Sequence, residues 1–365
     1  MNILLVATLK RRVAKGEFAS RTRIIYQLGQ ELVKRGHTVK MLSSADSSIP
    51  GVITVPVVEK PWVNAQHVEN EFQRDIAELM LLSKAILKEQ LWADVIHNHT
   101  YPDLFPSIIE DQLIKPLITT LHVVHDFYVD DIVSSFPKTQ YVALSEAYKQ
   151  KIKNNANVAV VHNGIDTTLY TYQKEKKDFL FWLGRLPKSK HKNGTFMDPK
   201  GVRWTIELAK KTNSYLAISA PVEDINFYDR DVKPYLTNKI RFVGEPSAEQ
   251  STPITTIIEL FQNAKAFLMT INQEEPFGLV MAEAMSCGTP VIAFNRGAAS
   301  EIIIDGKTGF LVDPKRGVDG LQEALAKIHT INQEDCRKHV EENFSVQKMV
   351  SDYEKLYMKL SNREN

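Results

Sequence analysis

The chain has 365 residues, 43% of them hydrophobic, which is enough to bury two cores, and length alone points to about two domains. With 45 basic and 44 acidic residues the net charge is +1, so no global field draws the chain to nucleic acid or to an acidic partner. Two cysteines, Cys287 and Cys336, cannot build a disulfide framework and match no zinc spacing, so a reducing cytoplasm is the expected compartment.

The first apolar run, residues 3–7, is followed rather than preceded by Lys10, Arg11 and Arg12, the reverse of a signal peptide. It reads as a buried strand. Ile24, Ile25, Leu28, Leu32 and Val33 then recur at helical spacing and stop at Gly36. Further strands are expected at 39–42, at 52–58 with a break at Pro56, and at 95–97, 117–121, 141–144 and 158–161. A long helix is expected at 69–91. The pattern then restarts, with strands at 179–183, 215–219, 240–243, 266–269, 290–293 and 310–312. Helices are expected at 201–211, 223–236, 252–263, 279–287 and 318–329. Alternating strands and helices imply parallel sheets with right-handed crossovers. The expected organisation is a first domain over 1–163, a polar linker over 164–177 and a second domain over 178–345. A terminal helix over 346–365, with Met349, Tyr353, Leu356, Tyr357 and Leu360 on one face, could pack on either domain. No window approaches the roughly 20 apolar residues of a membrane span.

In open parallel sheets, ligands bind where strands end at their carboxyl ends. The richest such loop runs from Thr270 through Glu275-Pro-Phe-Gly278 into an apolar helix. Gly278 lets backbone approach a ligand, and the helix start presents N–H groups suited to an anion or a sugar hydroxyl. Glu275 and Glu283 could each accept paired hydrogen bonds from vicinal hydroxyls. Alone, they read equally well as a helix cap and a solvated helix residue.

The stretch from Glu275 to Asp313 resembles the donor-binding signature of the retaining glycosyltransferases of family 4. It has the Glu-x7-Glu spacing, then Ala284-Met285, Cys287-Gly-Thr-Pro-Val291, Gly297, Glu301 and Gly306-Lys-Thr-Gly-Phe310. Val161-His-Asn-Gly-Ile-Asp166 is similar to the family's domain-junction segment, and Leu183-Gly-Arg185 to its Gly-Arg turn. Val95-Ile-His-Asn-His99, Thr120-Leu-His122 and Ala143-Leu-Ser145 match weaker features of the first domain. The resemblance implies an α/β fold of GT-B type: two facing Rossmann-like doubly wound domains with a cleft between them. It implies a metal-independent, retaining transfer of a hexose from a nucleotide diphosphate sugar, which is a substrate, so no cofactor is expected. UDP-glucose is the first candidate donor, with GDP-mannose open.

By the same resemblance Glu283 would hold the ribose hydroxyls, Glu275 would lie near the transferred sugar, and Phe277, Gly278 and Leu279 would offer backbone groups. Arg185 and Lys200 would neutralise the leaving diphosphate, where fixed positive charge stabilises developing negative charge. Asn163 and Gly164 would lie by the donor at the junction. His122 would orient the sugar, with His125 and Asp126 nearby. Between Arg185 and Lys200 the chain is longer than the family pattern and basic, so Lys190 competes for the phosphate. Only Gly16 stands where the family often has two glycines after the first strand. Lys10, Arg11, Arg12 and Lys15 in that loop are either solvated or set to recognise an acidic or phosphorylated acceptor. The histidines 97, 99, 122 and 125 fit no strong metal spacing. A sugar-nucleotide epimerase of the same fold and a non-catalytic nucleotide-sugar binder are the alternatives. A phosphorylase would need a pyridoxal phosphate lysine in a recognisable context, which is missing.

Overall fold

The computed structural model describes residues 1–17, 19–65, 67–125, 128–247 and 252–362. It divides into two compact units, Met1–Gly164 with Val346–Asn365, and Ile165–Ser345.

The first unit carries seven parallel strands: β1 (Asn2–Val6), β2 (Thr38–Ser44), β3 (Ile53–Val58), β4 (Val95–Asn98), β5 (Leu117–Thr120), β6 (Gln140–Ala143) and β7 (Val158–Val160). Their order is β3-β2-β1-β4-β5-β6-β7, so the winding reverses between β1 and β4. The inner strands are buried on both faces, although β4 and β5 end in polar residues, His97-Asn98 and Thr119-Thr120. Pro56 does not break β3 as the sequence suggested. β3 is an edge strand, where a missing N–H costs no ladder bond, and the register instead shifts at Ser43 and Ser44.

The second unit carries six parallel strands: β8 (Leu180–Leu183), β9 (Leu216–Ser219), β10 (Ile240–Phe242), β11 (Ala266–Met269), β12 (Val291–Phe294) and β13 (Gly309–Val312). The order β10-β9-β8-β11-β12-β13 reverses between β8 and β11. The region expected as one helix over 223–236 is a helix at Ile225–Asp231 and a separate 3-10 turn at Lys233–Tyr235. A helix at Gln333–Asn343 escaped the sequence reading because only Cys336 and Val340 of its face are buried. Arg337 on that helix donates to the carbonyls of Thr167 and Tyr170. Lys176 donates to Gln262 O, Cys287 O and Thr289 Oγ1. The polar stretch after Gly164 is therefore laid onto the second unit.

The terminal helix Val346–Ser361 belongs to the first unit and buries Val346, Met349, Val350, Tyr353, Leu356, Tyr357 and Leu360. Each fully buried side chain of this size contributes about 1.5–3 kcal/mol before entropic costs. Polar contacts fix its orientation: Arg35 donates to Glu354 at 2.6 Å, to Ser351 Oγ at 2.9 Å and to Gln347 O at 2.8 Å, and His37 meets Glu354 at 2.8 Å.

Candidate functional site

Each winding reversal opens a crevice outside the carboxyl ends of its two central strands, where parallel sheets bind ligands. In the second unit the two bordering loops follow β8 and β11. They hold Arg185, Lys190, Lys200, Glu275, Phe277 and Gly278.

The β11 loop ends at Gly278, whose φ of +89° is a left-handed conformation that favours glycine. A Cβ there would press on Met281 Cε and Glu275 Cγ. Helix Leu279–Ser286 starts at this turn, and Leu279 is nearly buried at its first position. Phe277 is buried, with its ring edge-on to Phe344 at 5.8 Å. Glu283 is 2% exposed, which removes the reading of a solvated helix residue. Charged side chains are rarely this buried unless they are paired.

Lys200 Nζ lies 2.7 Å from Glu275 Oε2, both half-buried. Two devices put it there. Asp198 accepts N–H bonds from Gly201, Val202 and Arg203, pinning the start of helix Val202–Thr212. Burial raises the Asp198 carboxyl above its ordinary range, against the lowering effect of those N–H bonds. Asn272 ties the β11 loop to this turn, through Asn272 N to Pro199 O at 2.9 Å and its side chain to Asp198 O at 2.7 Å. Glu275 is held from the other side by the loop after β12. Ala298 N donates to Glu275 O at 3.0 Å, and Gly297 N donates to Glu274 Oε2 at 2.5 Å. A Cβ on Gly297 would collide with the Glu275 backbone.

The two competing lysines have different surroundings. Lys190 sits 4.0 Å from Asp224 and over the Phe196 ring, in a small hairpin where 190 pairs antiparallel with 196. Arg185 is largely exposed and donates to Glu223 at 3.0 Å.

In the first unit, Gly16 follows β1 in an exposed loop with φ +87°, and among the described residues no atom beyond its chain neighbours lies within 4 Å of an added Cβ. Arg12 in that loop pairs with Glu17 at 2.6 Å, and Lys10 lies over the Tyr101 ring. Asn163 is buried, with no hydrogen-bond partner for its Oδ1 among the described residues. Gly164 N faces Met349 Sδ at 3.1 Å. His122 follows β5 and its N–H donates to Asp103 Oδ2 at 2.7 Å. Asp103 is fully buried and lies 2.5 Å from Arg21. His125 Nε2 lies 3.4 Å from Asp103, while Asp126 falls outside the described residues. His122 Nε2 meets His99 Nδ1 at 2.8 Å, and His99 Nε2 meets His97 Nδ1 at 3.3 Å. Burial, then the Arg21 charge, then the neighbouring histidines hold His122 well below the usual imidazole value. Burial, then Arg21, takes His99 down to about 3. These rings are neutral at pH 7. Among the described residues no group of three or more His, Cys, Asp or Glu could hold a metal ion, and no helix is long and apolar enough to cross a membrane.

Sequence reasoning missed Asp198, Arg21, Asp103 and Glu274. The Asp198-Pro-Lys-Gly201 run carries a cap signal, an acid just before a helix start, that could have flagged the first. The other three are set by contacts distant in sequence.

Residues 22–169 match the family described as Glycosyltransferase Family 4, and residues 236–344 match Glycosyl transferases group 1. An N-acetyl-alpha-D-glucosaminyl L-malate synthase of Bacillus anthracis is 23% identical over 370 aligned positions, covering 91% of each chain. Among solved structures, sucrose-phosphate synthase of Thermosynechococcus elongatus superposes with a TM-score of 0.75 at 18% identity, covering 98% of both chains. The Anabaena protein HepE, solved in complex with UDP and glucose, gives 0.71 at 17% identity, covering 99% of this chain and all of that one. The fold is α/β of GT-B type, with two Rossmann-like units.

Proposed function

The chain belongs to glycosyltransferase family 4, and we propose that it moves a hexose, with glucose from UDP-glucose as first candidate, from a nucleotide diphosphate sugar to an acceptor hydroxyl. The observation that carries this reading is the second unit's crevice, where the Lys200–Glu275 pair stands beside a glycine-opened helix that buries Glu283. A cation, a hydroxyl-binding carboxylate and free helix N–H groups are what a sugar diphosphate requires. Glu283 accepts from the ribose hydroxyls and Glu275 from the sugar, while Phe277, Gly278 and Leu279 present backbone groups. Lys200 and Arg185 take up the charge of the leaving diphosphate. Arg185 is exposed and, among the described residues, held by Glu223 alone, so it can turn to a phosphate at little cost. His122 orients the transferred sugar, and Asn163, Gly164 and Gly16 border the substrates.

The anomeric carbon–phosphate oxygen bond breaks, the acceptor oxygen bonds to that carbon with retention, and the acceptor proton passes to the leaving phosphate. No metal or cofactor takes part, and the reaction runs in the cytoplasm. The acceptor is acidic or phosphorylated. Two features support that class: the basic loop with Lys10, Arg11, Arg12 and Lys15, and the malate named in the Bacillus relative. That relative also makes an N-acetylglucosaminyl donor the second candidate.

The test is a thermal-shift screen of UDP- and GDP-sugars, followed by donor hydrolysis in excess chelator. Binding stabilises the native state by mass action, so the true donor raises Tm. No shift with any nucleotide sugar would sink the reading. Hydrolysis lost in chelator would overturn metal independence. Conversion of the sugar without an acceptor would make the protein an epimerase, and tight binding with no turnover a non-catalytic binder.

A further inference from the structure

The histidine line does not stop at His97. Its Nδ1 meets the Tyr357 hydroxyl at 2.7 Å, and its Nε2 meets Thr120 Oγ1 at 2.9 Å. Thr120 Oγ1 in turn meets the Tyr353 hydroxyl at 3.0 Å. Both tyrosines lie four residues apart on the terminal helix Val346–Ser361, and both are buried. We propose that Tyr357 is a positioning residue that fixes His122 as its Nε2–H tautomer, acting through His97 and His99, and so leaves His122 Nδ1 as a hydrogen-bond acceptor. The inference rests on the assignment of His122 to sugar transfer.

Donor strength sets the direction of the line. Tyr357 is fully buried, and among the described residues its hydroxyl has one hydrogen-bond partner, His97 Nδ1. A buried O–H without an acceptor is costly, so Tyr357 donates and His97 Nδ1 is bare. A neutral imidazole carries one hydrogen, so His97 Nε2 has it and donates to Thr120 Oγ1. His99 Nε2 faces the bare His97 Nδ1 and must bring the hydrogen to that contact. His99 Nδ1 is therefore bare, and the 2.8 Å contact requires the hydrogen on His122 Nε2. One hydroxyl hydrogen is left over in either direction: with Tyr353 donating to Thr120 it is the aliphatic hydroxyl of the threonine that lacks an acceptor among the described residues, whereas reversing every donor would strand the phenol of Tyr357, the stronger donor. The scheme needs neutral rings. Burial, followed by the effect of His99, holds His97 well below the usual value, and His99 lies at about 3. An imidazole whose far nitrogen is tied in this way presents a defined face to a ligand. For His122 that face is an acceptor suited to a sugar hydroxyl.

The test uses the full chain with 15N-labelled histidine, reading from two-bond 1H–15N spectra which ring nitrogen of His122 is protonated. The wild type is expected to show Nε2–H. Tyr357→Phe keeps the ring that stacks on Tyr353 and removes only the donor. It is expected to move His122 toward Nδ1–H and to lower kcat roughly ten- to hundredfold, with KM for the donor unchanged. Thr120→Val removes the acceptor at the other nitrogen of His97 and is expected to act the same way, which covers a variant that fails to fold. A wild-type His122 protonated at Nδ1 overturns the proposal. So does a Tyr357→Phe protein whose His122 spectrum is unchanged, even if its activity drops, because that is a merely structural loss. If the spectra behave as expected but the wild type turns over no nucleotide sugar, the relay stands and the sugar-transfer reading falls.

Discussion

The carboxyl edges of the two sheets are built on opposite electrostatic plans. At the first, His97, His99 and two tyrosines are buried, His122 is half-buried, and all five neutral rings are joined in one line of polar contacts. At the second, opposite charges meet in a half-buried pair, Lys200 with Glu275, beside a buried Glu283. A neutral, hydrogen-bonded network is costly to rearrange and is suited to holding a direction. A half-buried ion pair is cheap to open, because an incoming anion can replace Glu275 on Lys200. The difference teaches a division of labour: fixed orientation on the first edge and exchangeable charge on the second.

The sharpest way to break that contrast is to remove the exchangeable charge. Lys200→Ala is expected to lower kcat about 100- to 1,000-fold, the usual loss when one fixed stabiliser of a leaving group is deleted. Steady-state kinetics with the donor found in the thermal screen checks it. A larger loss from Lys190→Ala would move the role to the hairpin lysine. Next in size is Glu283→Gln, which keeps volume and removes charge. A charge-assisted bond to a ribose hydroxyl is worth about 2 kcal/mol, so donor affinity should fall roughly thirtyfold by calorimetry. Unchanged affinity would remove Glu283 from the donor site.

The second edge was far more legible in the sequence than the first. Glu275, Gly278, Glu283 and Gly297 lie within one short stretch, so their spacing carries the geometry. A left-handed turn before a helix can also be read from a glycine followed by an apolar run. The alternation of strands and helices gave both sheets, since parallel strands covered on two faces are short and apolar. The first edge was opaque because its partners are far apart in sequence. His97, Thr120 and Tyr357 share no local pattern, and Arg21 and Asp103 meet across 82 positions of chain (103 − 21). Tyr353 and Tyr357 did stand out at helical spacing, but spacing says that a face is buried and not what it faces. Polar surface helices fail for the same reason: Gln333–Asn343 shows only two buried side chains to a periodicity count.

Smaller effects sharpen the contrast further. Gly297→Val would drive a side chain into the Glu275 backbone at a φ of +54°. The expected cost is about 1–3 kcal/mol of stability, read as a lower Tm, with weaker donor binding and no change in the His122 spectrum. A disturbed histidine spectrum would mean that the two edges are not independent.

The smallest effect is expected at Glu354, the ionic anchor of the terminal helix. Burial pushes its carboxyl up, but hydrogen bonds from His37 and Arg35 outweigh this and leave it below the usual carboxylate range. A group whose pKa is lower folded than unfolded adds stability that is fully present above the unfolded value, about 4.3, and lost as pH falls through the folded one. Glu354→Gln should therefore cost about 0.5–1 kcal/mol at pH 7 and almost nothing in strong acid. Denaturant melts from pH 7 down to pH 3 give the comparison. A constant difference across that range would show that packing, not charge, holds this helix. If charge does hold it, acid should loosen the helix that carries Tyr353 and Tyr357, and with it the proton order of the first edge, before it disturbs donor binding on the second.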